Sequence, residues 1–320
     1  MGSMNDVMKK VWEEAAAADA AVAADPTTPM SEPAAGADEG LSGFIVPDVL
    51  DEMDSSPLDD DPLSEVLRPA AADAPAHYAT DPETVEWDPR DIDPAIVSFH
   101  DHASAICEQY RSIRARLFTM NRTKAPQVVM ITSSVPQEGK SVSTLNLGIM
   151  MAGGGEQNIL IADADLRRTS IARMLGIDMR TKKGLAEVFA GEAAIEDVIL
   201  PTPYPNLKVI PAGHARPKTH AELMGSSTAH QVMDEFRKSF DYTFVDTPPV
   251  TTVSDVNMLA PHCDGVIMVI EMRRTPEPTV QAAVRSLQTN NVKILGCILA
   301  RYREERTGYY DRYYRYYRND

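Results

Sequence analysis

The chain has 320 residues, with 31 Lys/Arg against 47 Asp/Glu and a formal charge of −16 at pH 7. The imbalance sits at the front: residues 1–95 hold 23 acidic and 4 basic side chains, whereas 96–320 hold 24 and 27. Three widely spaced cysteines, Cys107, Cys263 and Cys297, exclude a disulfide framework or a CxxC metal centre and fit reduced thiols. A spanning helix needs about 20 apolar residues, and the best run, Gly265 to Ile270, is far shorter. No basic-then-apolar leader is present. The expectation is a soluble cytoplasmic chain that reaches a membrane only through a partner.

In chain order, residues 5–24 are Ala-rich and suit a helix. Residues 25–95 are rich in Pro, Asp, Ala and Ser, a composition that buries too little apolar surface to offset chain entropy, so disorder is expected. Two apolar islands interrupt this stretch, Phe44-Ile45-Val46 and Leu63 to Leu67, and either suits docking to a partner. The folded part is expected from Ile96 to Ala300, followed by a Tyr/Arg-rich tail over 301–320. Residues 98–119 lack Pro and Gly and read as one helix. Beyond them, short Val/Ile-rich runs (Gln127–Thr132, Asn158–Ala162, Leu207–Ile210, Tyr242–Val245, Val266–Ile270, Ile294–Leu299) alternate with helical stretches at 141–152, 168–175, 184–190, 228–239 and 278–289. Alternation of this kind predicts a doubly wound α/β fold: a mainly parallel sheet with helices on both faces, of the P-loop NTPase type.

The first strand runs into Ser134-Val135-Pro136-Gln137-Glu138-Gly139-Lys140-Ser141-Val142. Strand, loop and helix in that order form a phosphate-binding loop, in which backbone N–H groups and a helix N-terminus face the phosphates. Gly139 lets backbone approach the nucleotide, Lys140 reaches the β- and γ-phosphates, and Ser141 places its hydroxyl on Mg²⁺. Ser134 stands where the pattern usually has its first Gly. The next strand ends in Asp163-Ala164-Asp165, two carboxylates where parallel sheets bind ligands, one suited to Mg²⁺ and either to accepting a proton from an attacking hydroxyl. Helix capping is the plain alternative for either Asp. Tyr242 to Asp246, followed by Thr247-Pro248-Pro249, is an apolar strand closed by a carboxylate that can hold Mg²⁺. Glu108, Arg111 and Arg114 share one helix face, for ion pairing within the helix or for contact between subunits. Six of the eleven tyrosines, Tyr309, Tyr310, Tyr313, Tyr314, Tyr316 and Tyr317, lie within nine residues beside Arg312 and Arg315. An Arg/Tyr tail suits stacking on single-stranded nucleic acid or service as a set of phosphate acceptors.

Taken together, these motifs resemble the bacterial tyrosine kinases of polysaccharide synthesis and export, over roughly 98–320. SSVPQEGKS is similar to the family's Walker A, ILIADADLRR to its Walker A′ and FVDTPPV to its Walker B. The resemblance implies an ATP- and Mg²⁺-dependent autokinase. Lys140, Asp163 and Asp165 would be catalytic, Ser134 to Val142 would bind nucleotide, and Ser141, Asp163 and Asp246 would support the metal. The six tail tyrosines would be phosphoacceptors, delivered in trans within a homo-oligomeric ring built through Glu108, Arg111 and Arg114. It also implies a separate membrane activator of the polysaccharide co-polymerase type, a tyrosine phosphatase, recruitment to the inner face of the cell membrane, and no nucleic-acid partner. Two positions depart from the family: Gln137 where Gly is frequent, and Ala300 where a strand often ends in Asn. The rival readings are a ParA/MinD-like ATPase, whose signature Lys would fall at Val135, and a nucleotide-dependent scaffold of an export complex.

Overall fold

The computed structural model describes residues 44–45, 87–121, 127–155, 157–180, 182–214, 219–251 and 255–301. Eight strands form one sheet: β1 (Phe44–Ile45), β2 (Gln127–Ser133), β3 (Ile159–Asp163), β4 (Leu200–Pro201), β5 (Leu207–Ile210), β6 (Tyr242–Asp246), β7 (Gly265–Glu271) and β8 (Ile294–Ala300), in the order β1-β8-β7-β2-β6-β3-β5-β4. Every neighbouring pair is parallel except β4 with β5. The helices are α1 (Val97–His100), α2 (Ala105–Met120), α3 (Lys140–Ala152), α4 (Ile171–Met174), α5 (Leu185–Ala190), α6 (His220–Met224), α7 (Ser227–Ser239), α8 (Asp255–Leu259) and α9 (Glu277–Thr289). The doubly wound α/β expectation is met.

The pleat explains why the strands carry unbroken apolar runs. Along β2, Val129 and Ile131 point into a core shared with Ile113 and Leu117 of α2 and Leu145 and Ile149 of α3. On the opposite face, Val128 joins Met233 and Phe236 of α7, while Met130 joins Val280 and Leu287 of α9. Successive side chains serve opposite layers, so β2 is apolar on both faces from Val128 to Ile131. Burying each large aromatic of these layers, such as Phe236 or Phe244, contributes roughly 2–3 kcal/mol. Helix α3 lies directly on β3 because Gly148 has no Cβ; one built there would collide with the Ile161 Cδ1.

Local differences from the sequence reading have local causes. The single helix expected over 98–119 is broken at Asp101–Ser104. The Asp101 carboxylate accepts the Ala103 N–H, and Ser104 caps α2 by accepting the Cys107 N–H at 3.3 Å. Packed chain begins upstream of residue 96, since Ile92 is buried in the main core and the Asp93 N–H donates to the Met174 carbonyl at 2.8 Å. Most of the segment expected to be disordered lies outside the described residues, as do the Ala-rich stretch 5–24 and the Leu63–Leu67 island. The first apolar island is different: Phe44 and Ile45 pair in parallel with Ile298 and Leu299 of β8, so this piece docks on its own sheet. Short β4, and helices α6 and α8, are additions to the elements expected from the sequence. All three cysteines are free thiols, with Cys107 and Cys297 buried. No helix among the described residues is long and apolar enough to cross a membrane.

Candidate nucleotide-binding and phosphoryl-transfer site

The C-terminal edge of the sheet gathers the chemistry. β2 ends at Ser133 and the chain turns through Ser134–Gly139 into α3, whose first residue is Lys140. Gly139 has φ 89, the left-handed region where a Cβ is strained, and no side chain caps the helix. The first N–H groups of a helix lack intrahelical partners and carry partial positive charge. In α3 they are thus left for an anion, as a phosphate loop requires. Gln137, too, is left-handed, with φ 66. That conformation costs glycine little, which fits the Gly that the resemblance places there and leaves Gln137 as a non-glycine residue in left-handed backbone.

Parallel pairing in register sets the carboxylates side by side. Asp246 of β6 is the Cα partner of both Ile131 of β2 and Asp163 of β3. The Ser141 hydroxyl donates to Asp246 Oδ2, while Asp246 Oδ1 is buried without a hydrogen-bond partner. An orphaned carboxylate oxygen beside a serine hydroxyl has the donor chemistry that Mg²⁺ takes up. No group of three or more His, Cys, Asp or Glu side chains among the described residues could hold a metal unaided. Burial pushes the Asp246 carboxyl up to about 6, against the pull of Lys140 and Ser141. Burial, then the Asp246 carboxylate, also raises the Asp163 carboxyl well above its usual range.

Asp163 serves the capping reading that its place in the sequence offers. Its Oδ1 accepts the Asp165 N–H and its Oδ2 accepts the Ile171 N–H, both at 3.1 Å, so it braces the loop into α4. Each carboxylate oxygen has a second lone pair, and one site per oxygen remains. Asp165 accepts the Arg168 N–H at 3.1 Å through Oδ1, and its Oδ2 lies 3.7 Å from Lys140 Nζ in a nearly buried ion pair. The structure therefore brings together Ser134–Val142, Asp163, Asp165 and Asp246.

It places Glu108, Arg111 and Arg114 elsewhere, on α2. Arg111 bonds Glu108 and the His102 carbonyl, and Arg114 Nη1 donates to the Met150 carbonyl near the end of α3 at 2.8 Å. Within one chain these residues tie α2 to its neighbours, with Glu108 and Arg111 still partly exposed. The six tail tyrosines lie outside the described residues. Sequence reasoning gives Glu138 only a place in the loop, yet it is 1% exposed and accepts the Val135 N–H at 2.7 Å through Oε2. It also misses Thr251, which donates to the Ser134 carbonyl. The signal for Glu138 is a carboxylate inside a phosphate loop, where charge alone would disfavour it; Thr251 offers none.

Comparisons with known proteins identify the family and the fold. Residues 128–292 match the AAA domain family. The tyrosine-protein kinase CpsD of Streptococcus agalactiae is 32% identical over 188 residues, covering 59% of this chain and 81% of that protein. The chain belongs to the bacterial tyrosine-kinase family. The kinase domain of VpsO superposes with a TM-score of 0.55 at 32% identity, over 60% of this chain and 93% of that domain. The succinoglycan biosynthesis transport protein ExoP of Rhizobium meliloti is 33% identical over 61% of this chain, but the chain spans only about a quarter of ExoP's length. Relatives thus occur both as shorter chains that this one largely covers and as much longer proteins of which it covers only a part.

Proposed function

We propose that this chain is an ATP- and Mg²⁺-dependent protein-tyrosine kinase that phosphorylates tyrosines of its own C-terminal segment and serves polysaccharide synthesis and export. The observation that carries the reading is the buried edge where an uncapped helix N-terminus, Lys140, Ser141 and the orphaned Asp246 oxygen converge. The α3 amides and Lys140 would hold the β- and γ-phosphates, and Ser141 with Asp246 would hold Mg²⁺. Bound there, Mg²⁺ would screen charge on the transferring phosphoryl group. The attacking tyrosine oxygen forms a bond to the γ-phosphorus as the bond to the β-phosphate bridging oxygen breaks, releasing ADP. The phenolic proton passes to Asp163 or Asp165; the raised affinity of Asp163 for a proton suits it to this step.

Acceptors are the cluster Tyr309, Tyr310, Tyr313, Tyr314, Tyr316 and Tyr317, interleaved with Arg312 and Arg315. Each phosphate adds about −1.5 to −2 charge, which turns a mildly basic tail acidic and drives modified tails apart. Tail exchange between identical subunits in a ring, a separate membrane activator, a phosphatase that resets the tail, and a cytoplasmic site at the membrane complete the reading. Purified chain with ATP and Mg²⁺ is expected to gain phosphotyrosine confined to 309–317, mapped by mass spectrometry. ATP turnover with no phosphotyrosine, even with a membrane activator supplied, would leave an ATPase or scaffold instead.

The ring has its own test. A Glu108→Ala/Arg111→Ala/Arg114→Ala variant is expected to sediment as a smaller species than the parent under the same nucleotide conditions. An unchanged mass would confine these residues to the contacts within one chain.

A further inference from the structure

Three of the four non-glycine residues with positive φ among those described cluster around one buried carboxylate: Arg301 binds it, Gln137 binds its partner Arg274, and Arg273 lies two positions beyond it. Left-handed backbone is costly for residues with side chains, and a cluster of it marks a place that the surrounding structure over-determines. The carboxylate is Glu271, the last residue of β7, whose side chain is 7% exposed. Arg274 Nη1 binds Glu271 Oε2 at 2.6 Å and also donates to the Gln137 carbonyl of the phosphate loop at 3.0 Å. Arg301 Nη1 binds Glu271 Oε1 at 2.8 Å. A second glutamate closes the knot: Glu138 Oε1 accepts the Glu271 N–H at 3.2 Å and the Thr275 hydroxyl. The phosphate loop, the β7 exit and the residue that follows β8 are thereby joined, the loop through contacts more than a hundred positions apart and Arg301 through one of thirty. Arg301 is the first residue of the tail that carries the tyrosines.

We propose that Glu271 is a positioning residue that fixes the root of the tyrosine-bearing tail to the phosphate loop, through Arg301 on one side and Arg274 on the other. The inference rests on the kinase reading and deepens it. The departure point of the acceptor is tied to the nucleotide site through Glu271, while Glu138 and the Arg274–Gln137 bond hold the loop without its side chain, so loss of Glu271 releases the tail before it loosens the loop. A merely structural role would stabilise the β7 exit and affect every activity of the site equally. A positioning role affects only acceptors attached through Arg301.

The test uses the full chain and a separate peptide of residues 307–320. Three quantities are measured for the parent, Glu271→Gln, Arg301→Ala and Arg301→Lys: tail phosphorylation at saturating ATP and Mg²⁺, phosphorylation of the added peptide, and the Kd of a fluorescent ADP analogue. Misplacement of a reacting group by an ångström or so lowers rates by one to two orders of magnitude. Glu271→Gln and Arg301→Ala are therefore expected to slow tail phosphorylation about tenfold, with the peptide rate and the ADP-analogue Kd within about twofold of the parent. Arg301→Lys, which keeps a cation for Glu271, is expected to recover most of the loss. Arg301 is partly exposed and Arg274 still neutralises Glu271 in its absence, so Arg301→Ala keeps the test informative should Glu271→Gln fold poorly. Equal losses on tail and peptide, or an unchanged tail rate, would overturn the proposal while leaving the kinase reading intact. A parent chain that forms no tail phosphotyrosine would remove both.

Discussion

Lys140→Met is expected to lower tyrosine phosphorylation by about a thousandfold or more, because the substitution removes a preorganised cation from the place where phosphoryl charge develops. The aliphatic stem is retained, so packing in the first turn of α3 is little disturbed. What changes is electrostatic. Lys140 Nζ stands 3.7 Å from Asp165 Oδ2, both side chains are nearly buried, and Asp163 and Asp246 lie beside them. Without the cation, three carboxylates share a desolvated pocket, and breaking a buried pair costs about 3–5 kcal/mol where the remaining charge stays unpaired. The apo variant should melt lower than the parent at pH 8 and close to it at pH 5, where the buried Asp163 and Asp246 carboxyls, held above their usual range, take up protons instead. Circular dichroism melts at the two pH values, with phosphotyrosine mass spectrometry, check both halves. Activity within about tenfold of the parent would exclude Lys140 as the principal phosphate ligand.

Asp246→Asn should separate stability from function. The Asp246 carboxyl ionises near pH 6 in the fold, against 3.8 for an unperturbed aspartate. A raised carboxyl pKa penalises the folded state: the penalty is absent below about pH 4, grows between the two values, and is complete above about pH 6. The shift corresponds to on the order of 2–3 kcal/mol at pH 8. Asparagine keeps an acceptor for the Ser141 hydroxyl and carries no charge, so the apo variant is expected to melt several degrees higher than the parent at pH 8, with the gain fading towards pH 4. The same change removes the anionic partner of Ser141 at the metal position, so the added stabilisation by Mg²⁺–ADP should fall sharply and phosphorylation should be lost. Thermal shift with and without Mg²⁺–ADP at several pH values measures all of this. Apo stability that falls on substitution at pH 8 would show that Asp246 is held by partners rather than strained by burial.

Much of this site is legible in the sequence, for a physical reason. Phosphate loops and strand-end carboxylates depend on short-range order: Ser134–Val142 follows its strand within one turn, and Asp163 and Asp246 each close an apolar run. Parallel register then aligns them without further information. The main strands are recognisable because runs such as Val128–Ile131 of β2, Ile159–Ala162 of β3 and Val266–Ile270 of β7 are apolar without a break. What escapes depends on subtler signals or on contacts distant in sequence. The break at Asp101–Ser104 follows local capping chemistry that a plain scan for Pro and Gly overlooks. The two-residue strands β1 and β4 have too few residues to show a period. The Glu271 knot joins positions 137, 138, 271, 274, 275 and 301, and no pattern along the chain announces it.

The two outermost strands carry a consequence for how copies of the chain can meet. An open sheet invites another sheet to add along its edge, and natural proteins blunt that invitation with short strands and proline. Here β1 covers β8 at Ile298 and Leu299, and β4, which contains Pro201, covers β5 at the other end in the opposite direction. With both rims shielded, growth by continuous strand pairing is disfavoured. The ring proposed above would then have to form through helical faces, and α2 with its partly exposed Glu108 and Arg111 offers one. Side-by-side helical contacts repeat at a fixed angle and can close on themselves, as a finite ring must, whereas an exposed strand edge would favour open-ended polymers.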